Sequence, residues 1–382
     1  LEQEAVRYGV KLSYETTITG VFLEGKTVKG IQCVNNEGMK TVGCKVLIDC
    51  TGDAEICAMM GCAAYQGRDL DGKTQPFTSV KVSIIGNKIS KTNFDSGWVD
   101  QTDGWDLTNA IITAHACHVK DKYDSSERLL YLAPLIGIRE GRRIKGEEMV
   151  RLDEFFQGKI TKEPLFYAHA DIDKHGWDHA FESETLQDWF VASNLGAVNV
   201  SFPIPLGSLI PEGYEGVLVA GRCISVDHDV STSVRMNRDM QKSGEAAAAA
   251  AWLSIKKNLP LKDLPYEDLL SLLKETGCYD EKNDLGYQQT YRIDGKLVSE
   301  KIEWLQDSNL IKQGLSSEKP GIAIWSAKRL GESIKEKLIE WINEAQQNTD
   351  KNERTEALRK HSAIALALIG GKEALPILRS MI

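Results

Sequence analysis

Residues 45–53 read KVLIDCTGD, and residues 216–222 read GVLVAGR. Both stretches are short apolar runs without polar alternation, which is typical of strands that are buried on both faces of a parallel sheet. Each run ends at a glycine, Gly52 or Gly221, and a helical pattern follows. Because ligands of open α/β sheets bind beyond the carboxyl ends of the strands, the sequence predicts an α/β fold with a ligand near these two turns.

The segments around these runs predict two further kinds of structure. Strands at 10–14, 17–23, 28–35 and 39–43, separated by Gly-containing turns, predict a β-meander. Residues 68–199 mix strand and helix patterns, with a strand at 78–85 and a helix at 107–120, and predict an inserted α+β substrate domain. A single long helix is predicted at 234–257, because small residues follow one another at 246–251.

Beyond Pro260 the pattern becomes helical. Helices are predicted at 265–276, 298–305, 326–347, 353–369 and 372–382, and residues 280–296 are predicted to form a loop with an Asp294-Gly295 turn. Consecutive amphipathic helices with small residues along one face are typical of a stacked helical repeat. We therefore divide the chain into residues 1–67 with 200–258, residues 68–199, and residues 259–382.

Composition excludes several classes of function. The chain has 382 residues, with 46 basic and 55 acidic side chains and a net charge of -9. A nucleic-acid or anionic-membrane surface needs the opposite charge, and no apolar run reaches the ~18 residues of a membrane span. The eight cysteines form no CxxC pair and are interpreted as buried free thiols, and no metal site is predicted. A metal among His169, His175, His179, Asp171 and Asp173 stays open, although a structural role is favoured.

Several motifs resemble one family. Residues 46–61 (VLIDCTGDAEICAMMG), 74–77 (TQPF), 136–145 (IGIREGRRIK) and 204–226 (IPLGSLIPEGYEGVLVAGRCISV) are similar to the FAD-dependent oxidoreductases related to glutathione-reductase-type flavoproteins. Residues 320–331 and 363–378 resemble the HEAT-like helical tail of one branch. The resemblance implies a Rossmann-like FAD/NAD(P)-binding domain with a β-meander, an inserted substrate domain and an all-α tail.

The family's GxGxxG motif, which admits the FAD pyrophosphate to a helix N-terminus, is missing. The sequence contains no G-x-G at any position. We therefore expect residues 1–67 and 200–258 to form an incomplete FAD-binding domain in a fragment of a longer flavoprotein. FAD is expected in the intact protein and not in this chain, which alone should be inactive.

The resemblance also assigns roles to individual residues. It implies cofactor contacts at seven positions, namely Thr51, Gly52, Asp53, Gly221, Arg222, Arg235 and Gly244. A helix N-terminus at 234–238 would lie under the flavin carbonyl, where its dipole stabilises a reduced ring. The alternative for Gly244 is a contact between helices.

Three residues are predicted to be catalytic: Arg139, Arg143 and His228. An arginine pair can clamp the carboxylate of an anionic small molecule, and a histidine can move a proton as a hydride passes. The alternatives are a solvated helix face for the arginines, including Arg142, and a loop histidine bonded to Asp227 or Asp229.

We therefore expect an FAD-dependent oxidoreductase that transfers a hydride between FAD and a small organic substrate. The alternative is a non-catalytic binding or scaffold protein, with a degenerate flavin domain and a helical tail that binds a partner protein or a second copy. No paired carboxylates or nucleophile elbow supports a hydrolase. The sequence does not fix the compartment, and a cytoplasmic location is favoured over a periplasmic one.

Overall fold

The computed structural model describes residues 1–121, 124–176, 178–294, 296–349 and 352–380. Strands run over β1 (Thr17–Glu24), β2 (Thr27–Asn35), β3 (Gly38–Gly43), β4 (Leu47–Asp49), β5 (Ala64–Tyr65), β6 (Thr78–Ile85), β7 (Lys88–Asp95), β8 (Glu127–Leu132), β9 (Arg143–Ile144), β10 (Pro164–Asp171), β11 (Val198–Pro205), β12 (Val217–Val219), β13 (Tyr287–Ile293) and β14 (Lys296–Lys301). Helices run over α1 (Glu2–Arg7), α2 (Glu55–Met60), α3 (Gly104–Lys120), α4 (Leu152–Phe156), α5 (Glu184–Gln187), α6 (His228–Val234), α7 (Asn237–Lys257), α8 (Tyr266–Thr276), α9 (Ser308–Leu315), α10 (Gly321–Leu330), α11 (Glu332–Gln347), α12 (Glu353–Leu368) and α13 (Leu375–Arg379). None of these helices is long and apolar enough to cross a lipid bilayer.

The chain divides into two compact units. The first comprises residues 1–67, 72–168 and 202–284, and the second comprises residues 68–71, 169–201 and 285–382. These units do not follow the boundaries proposed from sequence. Residues 169–201 join the second unit because β11 pairs with β13, and residues 259–284 join the first because α8 packs on α7.

The first unit contains the predicted parallel strands side by side. β4 and β12 pair in parallel, with Leu47 opposite Val217 and Asp49 opposite Val219. All three residues of β12 are fully buried, as their unbroken apolar run requires. Small buried residues of α7, including Ala246 and Ala250, let that helix approach β12 closely. Two parallel strands at these positions are confirmed, and β12 is buried as predicted, but Leu47 and Ile48 of β4 are only half-buried.

An antiparallel meander, β1–β2–β3, precedes β4. The strand predicted at 10–14 is wrong, because this exposed segment pairs with no described strand. The single helix predicted at 234–257 is also wrong. Met236 has an extended backbone, with φ -73° and ψ 145°, and separates α6 from α7.

A second antiparallel sheet of the first unit has the order β7–β6–β8 and carries α3 on one face. α3 begins where the Asp103 side chain accepts hydrogen bonds from the amides of Trp105 and Asp106. Phe77, Val99 and two alanines of α3 form its apolar core. This sheet corresponds to the strand and helix predicted at 78–85 and 107–120.

The second unit contains a hairpin that the sequence did not predict. β13 and β14 pair from Gln288 opposite Lys301 to Ile293 opposite Lys296, in a sheet of order β10–β11–β13–β14. The loop predicted at 280–296 and the helix at 298–305 are therefore wrong, because pairing with β11 decides the conformation of this polar segment. Gly295 of the predicted turn lies outside the described residues, and Asp294 has φ +49°.

The prediction of an all-α tail over 259–382 is wrong at β13 and β14, but the described residues after 307 are helical and contain no strand. The predicted stripe of Ile334, Leu338 and Ile342 lies in one core, which α9, α10 and α12 complete. The helix predicted at 326–347 is in fact two helices. Gly331, at φ +57° and ψ -135°, ends α10 before α11 begins. Assignment of this stack to a HEAT-like repeat stays a prediction.

Candidate flavin site

A buried carboxylate organises the turn after β4. Asp49 is fully buried, and its Oδ1 accepts hydrogen bonds from the amide and the hydroxyl of Thr51, at 3.0 and 2.7 Å. Its Oδ2 accepts one from the amide of Cys57, at 3.0 Å. The Thr51 hydroxyl in turn accepts the amide of Glu55 at 2.9 Å. Asp49 therefore fixes both the Thr-Gly-Asp turn and the first turn of α2.

The turns after β4 and β12 are joined by an ion pair. Arg222 Nη2 lies 3.2 Å from Asp53 Oδ1, and Arg222 Nη1 donates to the carbonyl of Ile138 at 2.6 Å. Gly52 has φ +84°, and a Cβ there would lie 2.9 Å from Arg222 Nη2. Glycine is therefore favoured at Gly52 by its backbone conformation, and a side chain there would displace the end of Arg222.

Gly221 follows β12 and is tied to α7. It has φ +94°, and its amide donates to the hydroxyl of Ser243 at 2.9 Å. At the next residue, Gly244, no described atom outside the neighbouring turns of α7 lies within 4 Å of the position a Cβ would take. The alternative of a helix–helix contact at Gly244 is therefore wrong. Arg235 lies between α6 and α7, beside the predicted helix N-terminus at 234–238, where α7 begins.

His228 lies in a buried network with Glu140 and Gln75. Its Nδ1 is 2.9 Å from Glu140 Oε2, and its Nε2 is 2.9 Å from the amide nitrogen of Gln75. Since that nitrogen only donates, Nε2 accepts and the ring proton resides on Nδ1, facing the carboxylate. Burial raises the pKa of Glu140, but His228 and Arg143 outweigh burial and lower it below its ordinary value. The alternative is a loop histidine bonded to Asp227 or Asp229, but His228 begins α6, and Asp227 accepts the amides of Val230 and Leu152.

The arginines are neither on a helix nor solvated, so the alternative of a solvated helix face is wrong. Arg143, with 3 % of its side chain exposed, donates to the carbonyls of Val226 and Gly67, at 2.8 and 2.9 Å, and lies 3.1 Å from Glu140. Arg139 donates to the carbonyl of Pro76 and pairs with Asp95 at 2.9 Å.

Arg142 donates to the carbonyl of Asp53 at 2.9 Å and pairs with Glu55 at 2.6 Å. It therefore ties the Thr-Gly-Asp turn to the arginine segment. The catalytic assignment of Arg139 and Arg143 stays a prediction, and in the structure both side chains bind protein groups.

The structure thus forms two groups from the predicted residues. Thr51, Gly52, Asp53 and Arg222 lie together, and His228 and Arg143 lie together around Glu140. Sequence reasoning missed Asp49, Glu140 and Gln75. The signal for Asp49 was an acidic residue within the apolar run KVLIDC, and Gln75 stands in the TQPF motif.

The last candidates are a histidine that could hold a metal and the eight cysteines. His175 Nε2 lies 3.3 Å from Asp173. All eight cysteines are free, and Cys33, Cys57, Cys223 and Cys278 are buried as predicted, but Cys50 is exposed, so the prediction is wrong there.

Comparison with known families decides the class of protein. A profile described as FAD dependent oxidoreductase matches residues 1–127 and 109–273, which together exceed half of the chain. The chain belongs to the FAD-dependent oxidoreductase family. FAD, the cofactor implied by the sequence motifs, is thereby confirmed for the intact protein. No curated protein matches the chain.

One solved structure similar to this family member is OxyS anhydrotetracycline hydroxylase from Streptomyces rimosus, with 12 % identity and a TM-score of 0.35. The alignment covers 96 % of this chain and 54 % of the hydroxylase. The chain therefore spans about half the length of that protein. A TM-score this low does not establish a common fold.

Proposed function

We propose that the intact protein transfers a hydride between FAD and a small organic substrate, and that this chain contributes the turns after β4 and β12 to the flavin site. The observation that carries the proposal is the pairing of two buried parallel strands whose following turns are joined by Arg222 and Asp53. Ligands of α/β sheets bind at such strand ends. Family membership favours this function over a scaffold role.

The residues present fit part of an FAD molecule. Gly52 and Gly221 adopt positive φ and place no side chain of their own at the strand ends, where the Arg222 side chain packs beside Gly52. Gly244 leaves the adjacent face of α7 open to approach. We propose that these glycines hold the cofactor with Thr51, Asp53, Arg222 and Arg235. When bound, the flavin ring supplies the hydride chemistry.

His228 is proposed to hold the proton that accompanies the transfer. Glu140 keeps the imidazole proton on Nδ1, and its negative charge stabilises the imidazolium that forms when the Gln75 amide rotates to turn its oxygen toward Nε2. Arg143 acts as a positioning residue, because it fixes Glu140 between the backbones of Gly67 and Val226.

This chain alone is proposed to bind FAD weakly. Without G-x-G the sequence lacks the backbone cradle that binds the pyrophosphate. Titration of FAD into the purified chain, followed by flavin fluorescence, should show no stoichiometric binding at micromolar concentrations. A yellow preparation with one flavin per chain would contradict this part of the proposal.

The flavin-site assignment is tested in the intact protein. Gly244→Leu places a side chain on the open face of α7 and should lower the flavin content of the purified protein at least several-fold. Ala249→Leu is the matched control, because Ala249 lies on a different side of α7 and is partly exposed. Equal flavin content in the two variants would show that Gly244 does not contact the cofactor.

A further inference from the structure

We propose that Cys57 and Cys62 are a redox-active dithiol that closes to a disulfide at the C-terminal end of α2. Nothing in the flavin chemistry proposed above requires these two thiols, and the inference does not depend on FAD binding. It rests on the backbone geometry of the helix end and on the charges around the two thiols.

The end of α2 brings the two cysteines together. The amide of Gly61 donates to the carbonyl of Ala58 at 3.0 Å, and the amide of Cys62 donates to the carbonyl of Cys57 at 3.0 Å. With Gly61 at φ +81° this is a Schellman motif, which brings the residues at the positions of Cys57 and Cys62 close together at the helix end.

The two thiols have different environments. Cys57 is 1 % exposed and donates a hydrogen bond to Cys62, which together with burial raises its pKa. Cys62 is partly exposed, and its pKa is lowered, first by the hydrogen bond from Cys57 and then by the charge of Lys26. Burial instead raises the pKa of Cys44 and Cys50.

A cation is held beside the helix end. Lys26 Nζ donates to the hydroxyl of Tyr214 at 2.8 Å, and that hydroxyl donates to the carbonyl of Met60 at 2.9 Å. The ammonium group therefore stays near the carbonyl end of α2, where its charge offsets the negative end of the helix and favours a thiolate on Cys62. A partly exposed thiolate next to a resolving thiol is the usual arrangement of a redox-sensitive pair.

The reaction requires a low-molecular-weight disulfide as oxidant. The Cys62 thiolate attacks one sulfur of that disulfide, the disulfide bond breaks, and one small thiolate leaves and takes a proton. Cys57 then loses its proton, and its sulfur attacks Cys62 Sγ and releases the second small thiol. Two protein thiols are oxidised by two electrons, and one small disulfide is reduced to two thiols.

Formation of the Cys57–Cys62 disulfide would affect the candidate flavin site through one hydrogen bond. The amide of Cys57 donates to Asp49, the carboxylate that also holds Thr51. A cross-link at Cys57 therefore constrains the residue that anchors the Thr-Gly-Asp turn. The redox state of the pair should be reported by the exchange rate of the Thr51 amide.

The test uses oxidised glutathione and peptide mass spectrometry on the whole chain. Trypsin releases residues 46–68 as one peptide that carries Cys50, Cys57 and Cys62. In a Cys50→Ser background this peptide should lose two hydrogens after oxidation, resist alkylation and recover both thiols with dithiothreitol. If Cys57 and Cys62 are both still fully alkylated after treatment with oxidised glutathione, the proposal is overturned.

Single variants separate the two roles. Cys57→Ser should stop at a glutathione adduct on Cys62, and Cys62→Ser should show neither adduct nor closure. Cys278→Ser is the matched control and should leave closure of the 46–68 peptide unchanged, because Cys278 lies in another part of the first unit. The proposal would also be overturned if the Cys50→Ser protein kept a glutathione adduct on Cys62 while Cys57 stayed reduced. This measurement needs no substitution of the buried Cys57.

Discussion

Asp49→Asn should loosen the turn at the end of β4 without changing its shape. The carboxylate accepts three hydrogen bonds, two at Oδ1 from Thr51 and one at Oδ2 from the amide of Cys57. An asparagine keeps one oxygen. If the asparagine oxygen keeps accepting from Thr51, its NH2 group faces the amide N–H of Cys57. Both of these groups are donors, and no water reaches them because the side chain is fully buried.

The magnitude follows from the bond that is lost. A hydrogen bond to a charged acceptor contributes about 1.5–3 kcal/mol, and the buried N–H left behind is not rehydrated. If the asparagine amide is turned the other way, the two hydrogen bonds from Thr51 are lost instead of one from Cys57. The loss of about 1.5–3 kcal/mol is therefore a lower bound. At about 1.4 kcal/mol for each factor of ten, local opening should become roughly ten- to a hundredfold more frequent.

Hydrogen exchange measured by mass spectrometry is the suitable assay, because a chain of two compact units need not unfold in one step. The amides of Thr51 and Cys57 should exchange faster in Asp49→Asn by the factor given above. Asp103→Asn is the matched control. Asp103 is an exposed cap of α3, and asparagine caps as well as aspartate. Equal exchange in the two variants would refute the role of Asp49.

Three further perturbations test other features. Gly244→Ala should stabilise the cofactor-free chain by about 0.5–1 kcal/mol in urea unfolding, because alanine favours a helix interior and no described atom meets its Cβ. Arg143→Ala should lower the free energy of unfolding of the chain by about 3–5 kcal/mol, because the buried Glu140 loses a charged partner. An unchanged urea midpoint would show that Arg143 does not stabilise the fold. Burial lowers the pKa of His118, so the folded state binds its proton less readily than the unfolded chain. Stability should fall as pH drops below about 6.5, and His118→Gln should flatten this part of a melting-temperature profile between pH 5 and 8.

The sequence predicted those elements whose pattern is dictated by burial. β12 is apolar along its whole length because both of its faces are covered, β4 is apolar except for the buried Asp49, and a glycine follows each strand. The helices after residue 307 also followed from the spacing of their apolar residues. In these cases the local pattern and the tertiary environment demand the same conformation, so the pattern suffices.

Elements determined by distant partners could not be predicted in this way. β13 is a polar, half-buried strand, and its pairing with β11 and β14 distinguishes it from a loop. The partner of His228 is Glu140, which is 88 residues away in the chain. The arginines at 139–143 were interpreted from charge alone, whereas backbone carbonyls from three separate segments, at Gly67, Pro76 and Val226, fix two of them.

The pairing of β4 with β12 also has a consequence for synthesis of the chain on the ribosome. About 170 residues separate Leu47 from Val217, its partner. At about 5–20 residues per second, β4 emerges roughly ten to thirty seconds before the strand that covers its edge. During that interval the nascent chain presents an apolar, unpaired strand, which is the kind of segment that associates with other chains. Chaperone occupancy of residues 45–50 should therefore persist until the ribosome has passed β12.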